Sequence, residues 1–187
     1  MPETISREEL VAILRATDPV AAGRQARELA RATTVTYSRR PAPPDWLVDD
    51  GREGSLEDHA RAHARGDASE AAVVYGHGRA PEAVADRLLG LAELMEASDR
   101  LMAVCPVPAE GDTSRPGSWG VEDLSVIAAA RLALPRVPWV RPSWRLLGAP
   151  ACQIAVAFGA NDWQLPEDDR TDVEALASAV GVTAVQR

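Results

Sequence analysis

Hydrophobic positions recur along this chain with two alternating periods. Leu10, Ile13 and Leu14 follow Ser6 at helical spacing, and Ser6 with Glu9 has the form of a capping box, which predicts a helix over 7–16. Asp18-Pro19 starts a second helix, with Val20, Ala26, Leu29 and Ala30 on one side and an end near Ala32; together they form an N-terminal helical hairpin. The β-branched and aromatic run TTVTY predicts a short strand over 33–37. Later, a strand at 71–75, a Gly76-His77-Gly78 turn and a helix from Pro81 bearing Val84, Leu88, Leu91 and Met95 make one β-loop-α unit.

The same alternation continues to the C-terminal end. It predicts a buried strand at 101–104 closed by a Pro-rich loop, a helix at 121–134 and a strand at 139–141. A helix stopped at Gly159, a short strand or turn at 160–163 and a last helix at 171–180 complete the pattern. Strands separated by crossovers imply an α/β fold with a parallel sheet covered by helices. The expected organisation is a single domain over 1–187: the hairpin and first strand (1–38), an acidic, Pro-rich connection (39–69) and the βα units (70–187). In such folds the site lies at the C-terminal ends of the strands, here at Gly76-His77-Gly78, Pro106-Val107-Pro108 and Ser143-Trp144-Arg145.

Charge and composition narrow the chemistry. The net charge is −8 and all 20 basic residues are arginine, with only Arg39-Arg40 adjacent near the first strand, so no nucleic-acid surface is expected. No apolar run has membrane-spanning length, and Arg7, Glu8 and Glu9 occupy the N-terminal region where a secretory signal would be apolar; a soluble, cytoplasmic protein is expected. Cys105 and Cys152 form no metal-binding cluster and read as buried thiols. His59 and His63 have the i, i+4 spacing of a metal pair, but no third ligand accompanies them, and they read as solvated histidines on a polar helix. No metal and no cofactor are expected.

The stretches VVYGHGRAPEAVADRLLGLAEL, AVCPVPAEGDT, VEDLSVIAAARLALPRVPWVRPSW and GAPACQIAVAFGANDW, in this order, resemble the C-terminal half of the menaquinone-pathway radical SAM enzymes, aminofutalosine synthase and dehypoxanthine futalosine cyclase. They are more distantly similar to the deazaflavin-forming enzymes of coenzyme F420 synthesis. Residues 5–40 resemble the opening helices and first strand of that family. The family's first barrel strand leads into a CxxxCxxC loop whose thiolates hold a [4Fe-4S] cluster that cleaves S-adenosylmethionine. Here TVTYSRR runs into the Pro-rich connection, and the chain has no such triplet.

The resemblance therefore implies a partial, half TIM-like barrel of about four parallel strands, in which the first strand neighbours the last. Its two sheet edges and its inner face would be exposed, and a partner is expected: a second copy forming a homodimer, or a full-length family enzyme. Three functional readings follow. In the first, the chain is a non-catalytic accessory or regulatory protein that binds a nucleoside-like ligand or a pathway enzyme, with Tyr75, Gly76, His77, Trp144, Arg145, Asn161 and Asp162 as candidate ligand contacts. In the second it is a non-radical enzyme with His77 as general base, oriented by Asp162 or Glu122. In the third it is a structural interaction module. Each candidate also has a plainer role: His77 as a helix cap, Trp144 as core, Asn161-Asp162 as a turn.

Overall fold

A computed structural model describes residues 5–31, 33–39, 54–76, 78–109 and 120–187. His77 and residues 40–53 of the expected acidic connection lie outside these residues. Helices α1 (Arg7–Arg15) and α2 (Val20–Ala30) form the predicted hairpin. The Ser6 hydroxyl accepts from the Glu9 amide at 3.2 Å, and the Glu9 carboxylate accepts from the Ser6 amide at 2.8 Å. At α2 the Asp18 carboxylate caps the Val20 amide at 3.0 Å.

Strand β1 (Thr34–Arg39) is followed by helix α3 (Leu56–Ala64), strand β2 (Ser69–Tyr75) and helix α4 (Pro81–Ser98). The predicted stripe of α4, Val84, Leu88, Leu91 and Met95, is buried against β2 and the neighbouring helices. Burying each such side chain contributes about 1.5–3 kcal/mol before entropy is counted. Next come β3 (Leu101–Pro108), α5 (Val121–Ala133), β4 (Trp139–Val140) and α6 (Trp144–Ala155), the last kinked at Gly148. A 3-10 turn over Val156–Phe158 ends at Gly159 in the left-handed region, φ 94°, as expected for a C-terminal glycine. Strand β5 (Asp162–Leu165), helix α7 (Val173–Ala179) and strand β6 (Thr183–Gln186) complete the described chain.

All strand pairs are parallel, in two three-stranded sheets of order β2-β3-β4 and β5-β1-β6. Asn161 joins them: its amide donates to the Val140 carbonyl at 3.1 Å, and its carbonyl accepts from the Thr36 amide at 3.0 Å. Because side chains alternate along a strand, one face of the sheets carries Val35, Val73, Tyr75, Val104, Val140, Trp163 and Leu165 into the helices. The opposite, inner face carries Ala72, Val74, Ala103, Cys105 and Val107, packed with Trp139 and Leu146. The class is α/β. No helix among the described residues is long and apolar enough to cross a membrane.

The strands and their faces depart from expectation in four places. Strand β3 runs on through Pro106 and Pro108 instead of ending in a loop at Val104. The Val104 carbonyl faces β4, where it accepts from Arg141, so residues of the same parity turn their missing N–H toward the side on which β4 has already stopped. Strand β5 begins two residues later than predicted, because Ala160 and Asn161 complete the turn after Gly159. The chain does not finish on α7: β6 follows and pairs with β1, giving six strands among the described residues where about four were expected. Finally, the inner-face residues Ala72, Val74, Ala103, Cys105 and Val107 are buried within the single chain, none more than 8% exposed, although a half-open sheet was expected to leave this face bare.

Candidate functional site

The polar residues of the inner face converge on one carboxylate. Asp162, the first residue of β5, is fully buried. Its Oδ1 accepts from the Thr36 hydroxyl at 2.6 Å and from Arg187 Nε at 2.8 Å; its Oδ2 accepts from Arg141 Nε at 2.5 Å and Arg187 Nη2 at 2.8 Å. Arg141 forks onto Glu70, with Nη1 and Nη2 at 2.7 and 3.0 Å from the two carboxylate oxygens, and Nη1 also donates to Gln164 Oε1 at 3.0 Å. The Arg187 guanidinium lies over the Trp139 ring, 4.4 Å from its centre.

Strand register explains the convergence. Thr36 pairs with Asp162, Ser38 with Gln164 and Ala103 with both Glu70 and Trp139, so alternation places these side chains on one face. Two arginines and two carboxylates thus balance in charge, and each carboxylate has a two-pronged arginine partner. Burial works against the Arg141 charge; the Glu70 and Asp162 carboxylates alongside outweigh it and hold the guanidinium protonated. Cys105 sits beside this lattice, and burial pushes its thiol up to about 12.

The other candidates occupy different surroundings. Tyr75 points toward the helices, and its hydroxyl donates to Asp123 Oδ1 at 2.7 Å. Asp123 in turn accepts the Gly120 amide at the start of α5, at 3.1 Å. Gly76 is buried with φ 77°, a backbone conformation suited to glycine. Trp144 packs on Trp163 with ring centres 5.8 Å apart and donates to Asp169 Oδ2 at 2.8 Å. Arg145 is exposed at the start of α6. Asn161 uses its side chain to fasten the sheets: Oδ1 accepts from Arg131 Nη2 and the Val140 amide, both at 2.9 Å, and Nδ2 donates to the Pro138 carbonyl at 2.8 Å. Glu122 has its carboxyl raised by burial and by neighbouring Asp123.

The structure therefore brings Asp162 together with residues that the sequence did not single out, Thr36, Glu70, Trp139, Arg141, Gln164 and Arg187. It does not bring Asp162 together with Tyr75, Trp144 or Glu122. Asp162 lies level with the start of β2, and Tyr75 ends that strand, five residues on from Glu70 and about 16 Å away at the usual rise per residue.

His59 and His63 are buried, which corrects the expectation of a solvated pair. Helix α3 folds its polar-looking face onto the start of β2 and the end of α4. There His59 Nδ1 and His63 Nε2 each lie 2.8 Å from the Ser69 hydroxyl, and His63 Nδ1 is 2.7 Å from the Ser98 hydroxyl. The Ser98 hydroxyl spends its proton on the Leu94 carbonyl at 2.8 Å, so His63 Nδ1 donates to it. Then Ser69 donates to His63 Nε2 and accepts from His59 Nδ1. Both rings are neutral in this chain, and a further proton on His63 Nε2 would displace the bond from Ser69. Burial, with Arg87 and His63 nearby, lowers His59 to about 4; burial and Arg100 lower His63.

The resemblance implies a [4Fe-4S] cluster, which requires three thiolates. The two thiols present belong to separate core clusters, and burial pushes Cys152, like Cys105, up to about 12. Among the described residues no group of three His, Cys, Asp or Glu could hold a metal ion. The residues do not fit that group.

No family model matches the chain. Among curated proteins it is 28% identical over 118 residues to the aminodeoxyfutalosine synthase of Thermus thermophilus, covering 59% of this chain and 32% of that enzyme. It is 27% identical over 118 residues to the aminodeoxyfutalosine synthase of Streptomyces coelicolor, covering 56% and 30%. The third similarity is to the 5-amino-6-(D-ribitylamino)uracil–L-tyrosine 4-hydroxyphenyl transferase of Methanospirillum hungatei, 32% over 113 residues, covering 54% and 30%. The chain thus matches about a third of the length of these relatives. The matches support a distant relationship to the radical SAM enzymes that the sequence resembles.

Proposed function

We propose that this chain is a non-catalytic accessory or regulatory protein built on half of a radical SAM-type barrel, acting by binding and not by turnover. The observation that carries this reading is the closed lattice around Asp162. Acid–base chemistry needs a group whose proton can move and whose lone pairs can reach a substrate, whereas Asp162 accepts from three side chains and Arg141 donates to three. The absent cysteine triplet supports the same reading. A half-barrel agrees with the Asn161 link between β4 and β5 and with β5 lying parallel beside β1, with β6 added on the other side of β1.

The ligand is nucleoside-like, of the aminodeoxyfutalosine type named in two relatives, and is held at the strand ends near Tyr75 and Gly76, with His77 as a further contact. The macromolecular partner is an enzyme of the same route or a second copy of the chain. Isothermal titration with purine nucleosides, and separately with a full-length aminodeoxyfutalosine synthase, tests this. Binding of either without consumption of the nucleoside is the expected result; absence of both interactions, or turnover of the nucleoside, would overturn it.

A further inference from the structure

We propose that the notch between the Asp162 carboxylate and the Trp139 ring is a guanidinium-binding site, which β6 fills from within the chain through Arg187. The geometry is that of ligand recognition: Nε and Nη2 each donate to one carboxylate oxygen at 2.8 Å while the cation's face covers an aromatic ring at 4.4 Å. The receiving half stands without Arg187. Asp162 remains held by Thr36 at 2.6 Å and by Arg141 at 2.5 Å, so its charge and orientation persist when the arm leaves.

The arm is an edge strand, bonded along one side only: among the described residues β6 pairs only with β1, and Thr183, Val185 and Gln186 are exposed. The Arg187 side chain retains 17% exposure, and Trp139 is half-buried, so the notch opens to solvent. Its chemistry selects a planar cation with two N–H groups along one edge, a guanidinium or amidinium of a small molecule. An ammonium of equal charge presents no such edge and stacks less well. This proposal does not depend on the chain being catalytically silent.

Agmatine is the probe and cadaverine, a diammonium of similar length, the control. In the full chain carrying Arg187→Ala, millimolar agmatine raises the melting temperature by a few degrees and cadaverine does not. In the wild type, agmatine accelerates hydrogen exchange of the Thr183 and Arg187 amides, which bond the Thr33 and Tyr37 carbonyls at 3.0 Å. The wild-type arm carries the test alone if the variant does not fold. Equal effects of the two amines, or no agmatine effect on β6 exchange in the wild type, would overturn the proposal.

Discussion

Two buried polar assemblies meet at the start of β2 from opposite faces of the sheet. Glu70 belongs to the charged lattice on the inner face, and Ser69, the residue before it, belongs to the histidine–serine chain under α3. The inner face keeps its ions and balances them, two arginines against two carboxylates. The histidine chain gives up charge and survives as a neutral line of single hydrogen bonds. Burial penalises an unpaired charge in both places; what differs is the supply of a partner. Arg141 meets one carboxylate from each sheet, Glu70 on β2 and Asp162 on β5, whereas His59 and His63 meet hydroxyls and the positive charges of Arg87 and Arg100.

The contrast is broken most severely at Asp162. Replacing it with Asn leaves Arg141 and Arg187 short of negative charge in a buried setting and is expected to cost about 3–5 kcal/mol, read by urea unfolding at neutral pH. A loss under about 1 kcal/mol would mean that water already reaches the lattice.

Asn161→Ala should come next. It strips the Val140 amide, the Pro138 carbonyl and Arg131 of their shared partner, an expected cost of about 2–3 kcal/mol. Hydrogen exchange should then rise first at Val140 and Thr36, where the two sheets join. Uniform acceleration across all strands would show that Asn161 does not act as the link.

Acid sharpens the comparison from the other face. Above pH 6.5 both histidines are neutral whether the chain is folded or unfolded, and they have no effect. Below that, the unfolded chain takes protons that folded His59, at about 4, refuses, so stability falls as pH falls between these values. The slope is up to about 1.4 kcal/mol per pH unit, about 2 kcal/mol at pH 5. Chemical denaturation from pH 7 to 5 should show this loss, and His59→Gln should flatten it. An unchanged slope in the variant would assign the acid sensitivity elsewhere.

The smallest effect is expected from Tyr75→Phe, which removes one buried hydroxyl bond to Asp123 and belongs to neither assembly. About 1 kcal/mol, with an unaltered pH profile, is the expected outcome of parallel denaturation curves.

Much of the scaffold was legible because its signals are local. The capping box of α1, the stripe of α4 and the glycine stop at Gly159 each rest on residues within a turn or two. The missed features depend on what lies across the sheet. Pro106 reads as a breaker until it is known that β4 ends beside it, and Thr183–Gln186 is too short to declare a strand without β1. The same holds for the site. Asp162 stood out after Gly159, but Glu70, Arg141 and Arg187 look like ordinary surface charges in sequence, and only the register places them on one face. His59 and His63 showed their spacing and hid their burial, since Ser69 and Ser98 come from other elements.

The proposed binding role without radical chemistry stands or falls on anaerobic reconstitution with iron and sulfide followed by dithionite and S-adenosylmethionine, with 5′-deoxyadenosine measured by chromatography. No retained cluster absorbance and no 5′-deoxyadenosine above the protein-free control are expected. Stoichiometric iron with reductant-dependent formation of 5′-deoxyadenosine would contradict it.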